Sequence, residues 1–209
     1  MKNVREFEWD RRMFLRTLVV APFAAALTAF HPQAAGAMLL LAATPATPDD
    51  DHDKELEVTH SETAGPFFKP RSPERASLIE KGIAGTPLAV SGRVRARDGK
   101  PIAGALLDFW HADDGGEYDN AGFRHRGHQF ADAQGRWRLE TIVPGVYPGR
   151  TRHIHVKVQA PRGRVLTTQL YFPGEPGNRR DGLFDESLLM SVRETGGRKA
   201  GAFDFVLGG

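Results

Sequence analysis

Short stretches of alternating apolar and polar residues recur along most of this chain, and turn-forming residues separate them. In residues 136–141, for example, Trp137 and Leu139 alternate with charged neighbours, as in a strand that buries one face. Residues 97–101 (RDGKP) are typical of the turns between such strands. The pattern predicts strands over residues 88–96, 105–110, 136–141, 153–158, 165–172 and 202–207.

Helical patterns are sparse in comparison with these strands. Residues 73–81, which follow the candidate N-cap Ser72, are predicted to form a helix, and residues 183–192 are a second candidate. Regularly spaced short strands with few short helices indicate an all-β fold of the β-sandwich type. The length of the chain suits one domain with a single hydrophobic core.

The first 37 residues have the pattern of an export signal. Residues 10–16 (DRRMFLR) resemble the twin-arginine motif, and a mildly apolar run and the small-residue site AGA at 35–37 follow. A membrane anchor is disfavoured, because His31-Pro32 interrupts the run before the ~20 apolar residues that a spanning helix needs. We therefore predict a twin-arginine-type signal peptide over 1–37, a linker over 38–60 and the β-sandwich domain over 61–209. The expected location is periplasmic or otherwise extracytoplasmic, with membrane contact only through the signal peptide.

The charge of the chain argues against nucleic acid as a partner. The sequence has 28 Lys and Arg and 26 Asp and Glu, and residues 1–37 contain five of the former and three of the latter. The remainder is therefore formally neutral, and it lacks a long basic run. Because the chain has no cysteine, disulfides, thiolate zinc sites and iron–sulfur clusters are excluded. Any metal ion must be bound by nitrogen and oxygen ligands.

Residues 147–155 (YPGRTRHIH) gather several side chains that bind metals or anions. If residues 153–158 form a strand, its period of two sends His153 and His155 to one face and Ile154 to a core on the other. By itself this histidine spacing is a weak signal, since zinc sites, copper sites and exposed strand faces share it. Tyr118 and Tyr147 strengthen it, because both lie in glycine-rich turns, where a core tyrosine is unusual.

Several separated segments together resemble the intradiol ring-cleavage dioxygenases, a non-haem ferric family that includes catechol and protocatechuate dioxygenases. The segments are 63–68 (TAGPFF), 105–110 followed by 116–119 (GEYD), Tyr147-Pro148, Arg150-x-x-His153-x-His155 and, fourteen residues after His155, Gln169. The resemblance covers approximately residues 63–184. It implies a β-sandwich with a transthyretin-like (prealbumin-like) core and long active-site loops.

The resemblance also implies a ligand set and a reaction. The implied substrate-shell residues are Arg150 and Gln169, and the implied ligands of Fe(III) are Tyr118, Tyr147, His153 and His155. Tyr147 would leave the metal when substrate binds, and Arg150 would stabilise negative charge on the ring. The expected reaction cleaves a small aromatic diol with O₂ to a cis,cis-muconate-type product. Two phenolates and one hydroxide would balance the ferric charge, and phenolate oxygen is a hard donor that suits this ion.

Departures from the family pattern leave the substrate and the assembly open. Only Pro148 and Gly149 separate Tyr147 from Arg150, where better-known members have a longer loop, so we expect a more open pocket wall. The long helical N-terminal segment through which catechol dioxygenases dimerise has no counterpart, so no oligomeric state is predicted. Further residues that either line the pocket or belong to the core and surface are Trp110, His111, Phe123, His125 and His128.

Two other interpretations remain open at the level of sequence. Residues 90–94, 101–105 and 132–135 also resemble transthyretin-like and carboxypeptidase-regulatory-like domains, which would make the protein a non-catalytic binding module at the cell surface. Alternatively, the histidine pair and a carboxylate such as Asp113 or Glu117 would bind the metal of a hydrolase or a copper protein. The first alternative explains the sheets but does not require the two turn tyrosines.

Overall fold

Strands dominate the computed structural model, which describes residues 55–209. The strands of this part are β1 (Pro87–Ala96), β2 (Leu106–Trp110), β3 (Arg126–Phe130), β4 (Arg136–Ile142), β5 (His153–Gln159), β6 (Val165–Tyr171), β7 (Ser191–Thr195), β8 (Arg198–Ala202) and β9 (Phe205–Leu207). Short 3₁₀ turns span Pro176–Arg179 and Glu186–Leu188. None of the helices in this part is long and apolar enough to cross a bilayer.

The strands form two sheets, as the all-β prediction requires. The first sheet has the order β4-β1-β8-β7, and β9 pairs in parallel with the last residues of β1. The second sheet is antiparallel throughout, with the order β3-β2-β5-β6. One hydrophobic core joins the two sheets, with Val90 and Leu139 from the first and Leu107 and Val156 from the second. The predicted β-sandwich is confirmed.

Strand β5 lies inside the second sheet and is buried on both faces. Ile154, Val156 and Val158 are fully buried in the core between the sheets. Because side chains alternate along a strand, His153 and His155 point to the opposite face. The register places His155 opposite Trp110 of β2 and opposite Gln169 of β6. The strand is therefore the base on which one face of the second sheet carries polar groups.

Neither predicted helix is present among the described residues. Residues 73–81 are extended, because their backbone hydrogen-bonds to the sandwich: Arg75 N donates to His128 O at 2.8 Å and Leu78 N donates to Glu140 O at 2.8 Å. Residues 183–192 contain only the 3₁₀ turn Glu186–Leu188, which the Asp185 carboxylate caps, before β7 begins at Ser191. Both helix predictions were wrong, since pairing with distant strands outweighs local helix signals.

The predicted strand over 202–207 is in fact two strands. The chain breaks its pairing after β8 and starts again at β9, and the carbonyl of Phe203 lies against Gly92 of β1. A Cβ atom on Gly92 would lie only 1.7 Å from Phe203 O, so glycine is required there. Strands β3 and β7 were not predicted, because their sequences (RGHQF and SVRET) lack a regular apolar alternation.

Residues 55–68 form an extended strap across the sandwich, called here the N-terminal strap. Leu56 N donates to Arg97 O at 2.7 Å, Thr59 N to Val206 O at 3.0 Å, and Glu62 N to Thr167 O at 2.7 Å. The described part of the predicted linker, residues 55–60, is thus hydrogen-bonded to the domain. The signal peptide and the rest of the linker lie outside the described residues, and those boundaries stay predictions. The strap ends at the polar face of β5.

The side chain of His60 fastens the strap to the loop after β6, and this contact predicts a measurable pKa. Its Nδ1 lies 2.7 Å from Asp185 Oδ2, and the hydrogen bond and charge of Asp185 raise the pKa of His60 above 6.5. A raised folded-state pKa means that the contact stabilises the folded state below the unfolded pKa and is lost as pH rises through the folded pKa. We expect Asp185→Asn to return the His60 pKa toward 6.5 in an NMR titration. Glu57→Gln is the matched control and should lower it less, because Glu57 is the weakest cause of the shift; equal shifts in both variants would contradict this assignment.

Candidate functional site

Three buried donor groups converge on the polar face of β5. Tyr118 Oη lies 3.2 Å from His153 Nε2, and His153 Nε2 lies 3.2 Å from His155 Nε2. The three residues are only 8%, 4% and 2% exposed, respectively. A single ion could contact all three atoms, since each has a lone pair directed at the same point.

Contacts behind the two imidazoles fix their orientation. The carbonyl of Thr151 can only accept, so His153 Nδ1 donates the 2.6 Å hydrogen bond between them and leaves the Nε2 lone pair free. The ring of His155 stacks on Trp110 with centroids 4.9 Å apart and planes parallel. The strand register that places Trp110 opposite His155 therefore also sets the direction of the second imidazole.

Burial sets the protonation states of these groups. It lowers the pKa of His153 to about 4 and the pKa of His155 well below 6.5, so both imidazoles are neutral near pH 7. It also raises the pKa of Tyr118 to about 12. The phenol therefore stays protonated unless a cation is bound beside it, and a bound metal ion would supply that charge.

Two glycines bring the tyrosine-bearing loops together. A Cβ on Gly145 would lie 2.2 Å from Gly116 N, and a Cβ on Gly116, whose φ is +92°, would lie 2.4 Å from Val146 O. Gly145 N also donates to Asp113 O at 2.6 Å. The loop that carries Tyr118 and the loop that carries Tyr147 are thus in direct backbone contact, which no larger residue permits.

Phe67 of the N-terminal strap covers both tyrosines. Its ring stacks on Tyr118 at 4.4 Å with planes 13° apart and meets Tyr147 edge-on at 5.3 Å. The buried Arg126 of β3 holds this arrangement, because its guanidinium donates to Phe67 O at 2.6 Å and to Asp119 O at 3.1 and 3.2 Å. Tyr147 is half-buried, and its hydroxyl has no hydrogen bond to another residue of the described part. The two tyrosines therefore differ in how firmly they are held.

These groups line a cavity of about 270 Å³, called here the tyrosine–histidine cavity. Its wall contains five of the six residues predicted from the sequence, and the apolar remainder comes from the strap and Leu183. The lining residues are Thr63, Gly65, Pro66, Phe67, Tyr118, Tyr147, Arg150, His153, His155 and Leu183.

Gln169, the sixth predicted residue, lies behind the wall rather than on it. Its Oε1 accepts from Arg150 Nη2 at 2.8 Å, its Nε2 donates to Thr63 O at 3.2 Å, and the side chain is fully buried. The expectation that Gln169 lies beside the substrate is corrected accordingly. Its polar atoms are engaged by Arg150 and the strap, so it positions the guanidinium.

Asp181 is a site residue that the sequence analysis missed. Its Oδ2 accepts from Arg150 Nε and from Thr151 N, both at 2.8 Å, and its Oδ1 accepts from Leu183 N at 3.0 Å. Burial alone would raise the pKa of this carboxyl, but the hydrogen bonds and the Arg150 charge outweigh it and lower the pKa below 3.8. In the sequence, Asp181-Gly182 has the signature of an ordinary turn, and the Arg150 contact is 31 residues away.

The other aromatic and histidine candidates do not line the tyrosine–histidine cavity. His111 is buried between Thr141 Oγ1 at 2.6 Å and Ala112 O at 2.7 Å, and burial lowers its pKa to about 3. His125 is also buried, with its ring 4.9 Å from that of His111, and His128 is hydrogen-bonded to Ser72 O at 2.8 Å. Trp110 supports His155 from behind, and Phe123 is partly exposed under Lys69.

The geometry does not support a carboxylate as the third ligand beside the histidine pair. Asp113 caps its own turn, with Gly115 N and Glu117 N as donors at 3.0 and 2.9 Å. Within residues 55–209, no group of three or more His, Cys, Asp or Glu side chains could hold a metal ion. A metal centre in this part of the chain therefore requires the tyrosines.

Comparisons with known proteins agree on one family. The dioxygenase family model matches residues 63–208. A chlorocatechol 1,2-dioxygenase from Pseudomonas sp. (strain P51) is 30% identical over 171 residues, a match that covers 68% of this chain and 68% of that protein.

Solved structures lead to the same group. The dioxygenase domain of a dioxygenase carbohydrate-binding protein fusion from Streptomyces sp. SirexAA-E is 60% identical, with a TM-score of 0.71 over 72% of this chain and 98% of that chain. A 3-chlorocatechol 1,2-dioxygenase from Rhodococcus opacus 1CP is 29% identical, with a TM-score of 0.66 over 72% of each chain. The similarity covers both sheets and the site between them.

The contact between the two tyrosine loops predicts an effect of Gly145→Ala. The added methyl group would overlap Gly116 N, so the loops must separate, and we expect a loss of about 1–3 kcal/mol in the free energy of unfolding. Urea denaturation measures this loss, and near-UV circular dichroism reports the tyrosine environment. Gly182→Ala is the matched control, because nothing lies within 4 Å of a Cβ there. An unfolding free energy equal to that of the control would show that the loops are not held by this contact.

The Arg150–Asp181 pair predicts a pH-dependent effect of Asp181→Asn. Loss of the buried charge should lower the free energy of unfolding by about 1–3 kcal/mol at neutral pH. Because the folded-state pKa of Asp181 is lowered, its contribution is present above the unfolded carboxyl pKa of about 3.9 and is lost as pH falls through the folded value. The difference between the variant and the wild type should therefore shrink below that pH in urea titrations. Glu175→Gln, which removes the more exposed pair with Arg152, should cost less.

Proposed function

Since this chain belongs to the intradiol ring-cleavage dioxygenases, we propose that it uses one ferric ion to cleave a small catecholic ring with O₂. The product would be of the cis,cis-muconate type. Membership of this family makes the protein an enzyme, which rules out the non-catalytic binding module. The observation that carries the proposal is the convergence of Tyr118, His153 and His155 in one cavity that Tyr147 also lines.

The donor set fits a ferric ion. Tyr118, Tyr147, His153 and His155 would hold the metal, with two hard phenolate oxygens and two neutral imidazole nitrogens. The low pKa of both histidines leaves their lone pairs free at neutral pH. Fe(III) bound there would act as a Lewis acid that favours the ionised forms of the tyrosines and of the catechol, and that draws electron density from the ring so that it reacts with O₂.

The two tyrosines have different roles in this proposal. Tyr118 is buried under Phe67 and hydrogen-bonded to His153, so it stays in place through the reaction. Tyr147 is half-buried and free of hydrogen bonds to the described residues, so its ring can turn away and its oxygen can accept a proton from the substrate. This asymmetry supports the release of Tyr147 that the family resemblance implies.

Arg150 supplies the positive charge on the cavity wall. Asp181 and Gln169 hold its guanidinium at 2.8 Å each, so the cation is preorganised before substrate enters. A fixed cation of this kind stabilises negative charge that develops on the ring, and removal of one comparable donor typically costs about 3–4 kcal/mol in activation free energy. Asp181 and Gln169 act through Arg150 and are positioning residues.

The location of the protein is part of the proposal. The twin-arginine pattern of residues 10–16 supports export, and that route carries folded proteins, which suits a domain that binds its metal before crossing the membrane. The substrate would then be an aromatic diol outside the cytoplasm.

Visible spectroscopy with tyrosine variants tests the metal site. Iron-loaded wild-type protein should show a broad tyrosinate-to-iron absorption band that moves to longer wavelength when catechol is added without O₂. Tyr118→Phe and Tyr147→Phe should each weaken or shift the band and lower kcat/KM at least about tenfold, because each removes a phenolate ligand.

Tyr171→Phe is the matched control for these variants. Its hydroxyl donates to Leu183 O at 2.8 Å, and its ring does not line the cavity, so the band should persist. Full activity and unchanged colour in both Tyr118→Phe and Tyr147→Phe would refute the ferric-tyrosinate proposal. A protein that stays colourless after ferric reconstitution would refute it as well.

A further inference from the structure

A second cavity adjoins the tyrosine–histidine cavity and is larger, at about 500 Å³ against 270 Å³. We call it the arginine cavity, since its wall includes Arg150 and Arg180 together with Val146, Pro176, Gly177 and Asp181. Arg150 is common to the walls of both cavities. A molecule that sits in the first cavity can therefore extend past this residue into the second.

The charges around the arginine cavity leave one cation without a partner. Asp181 is paired with Arg150, and Glu175 is paired with Arg152 at 2.8 Å. Arg180 has neither an ion pair nor a side-chain hydrogen bond to any of residues 55–209. Because Arg150 is already bound to Asp181 and Gln169, Arg180 is the cation with free donors in this cavity.

The backbone holds Arg180 at a fixed place beside the site. Arg180 N and Asp181 N both donate to Gly177 O, at 2.9 and 3.0 Å. Gly177 lies so close to Thr151 that a Cβ would be 2.9 Å from Thr151 Oγ1, and that hydroxyl donates to Asn178 at 2.6 Å. The turn that carries Arg180 is thus packed directly on the segment between Arg150 and His153.

The rest of the wall suits a short hydrocarbon chain. Val146, which precedes the ligand candidate Tyr147, is 49% exposed, and Pro176 faces the same cavity. An apolar wall with one free guanidinium matches a linker of a few carbons that ends in a carboxylate. A bare catechol would reach neither feature.

We propose that the arginine cavity binds a ring substituent of the substrate, and that the preferred substrates are catechols with a short side chain ending in a carboxylate, which Arg180 pairs. This inference rests on the proposed function, because it assumes that the diol ring occupies the tyrosine–histidine cavity. Arg180 is then a specificity-determining residue, and Val146 and Pro176 contact the linker.

Kinetics on three substrates test the pairing. The iron-loaded full chain is assayed with catechol, 4-propylcatechol and 3-(3,4-dihydroxyphenyl)propanoate, which differ in the side chain and its charge. Wild-type enzyme should have the lowest KM for the propanoate. Arg180→Gln should raise the KM of the propanoate about threefold to tenfold relative to the KM of catechol, the range expected for a partly exposed ion pair. Added salt should reduce the wild-type preference in the same direction.

Arg179→Gln is the matched control, since Arg179 precedes Arg180 and does not line the cavity. It should leave the ratio of the two KM values unchanged. An unchanged ratio in Arg180→Gln, or an equal change for 4-propylcatechol, would overturn the pairing of Arg180 with a carboxylate. Anaerobic binding titrations with the same three compounds give the ratio independently of turnover. Failure of the wild type to cleave any of the three compounds would instead count against the proposed function.

Discussion

The site depends on a constraint that acts on strand β5, which is buried on both faces. On one face Ile154, Val156 and Val158 fill the core between the sheets, and on the other His153 and His155 face Tyr118. A shift of the strand by one residue would place two imidazoles in the hydrocarbon core and three aliphatic side chains in the polar cavity. The core therefore fixes the register of β5, and through it the direction of both histidines. Packing energy in the sandwich is used to hold metal ligands that would otherwise repel a bound cation's competitors only weakly.

The second organising contact is the buried pair of Arg150 and Asp181. Burying two charges costs desolvation free energy, and their attraction offsets this only when further hydrogen bonds satisfy the remaining groups. Here Asp181 also accepts from Thr151 N and Leu183 N, and Arg150 also donates to Gln169. The network joins the segment after Tyr147, strand β6 and the turn at 181–183. One guanidinium is thereby fixed between two cavities, and it can act on a ring in one while the neighbouring turn meets a substituent in the other.

Local patterns and nonlocal contacts explain which predictions succeeded. The alternation in β5 and the spacing from His155 to Gln169 are local or register features, and the structure has them. The helix predicted over 73–81 failed because Arg75 and Leu78 hydrogen-bond to strands β3 and β4, which no local pattern reveals. Asp181 was missed for the same reason, since its sequence context indicates only a turn. Gly116 and Gly145 are likewise unremarkable in the sequence, and only their mutual contact shows why neither tolerates a side chain.

The difference between the two tyrosines follows from the strap. Phe67 stacks face to face on Tyr118 but touches Tyr147 only at an edge, and Arg126 anchors both Phe67 and Asp119, the residue after Tyr118. Tyr147 is attached instead to the short Pro148-Gly149 turn, where a Cβ on Gly149 would meet nothing within 4 Å. A phenol clamped on one side of a metal and a phenol on an open turn on the other are suited to different tasks. The clamped oxygen keeps the ion in place, and the freer one can exchange its position for the incoming oxygen of a substrate.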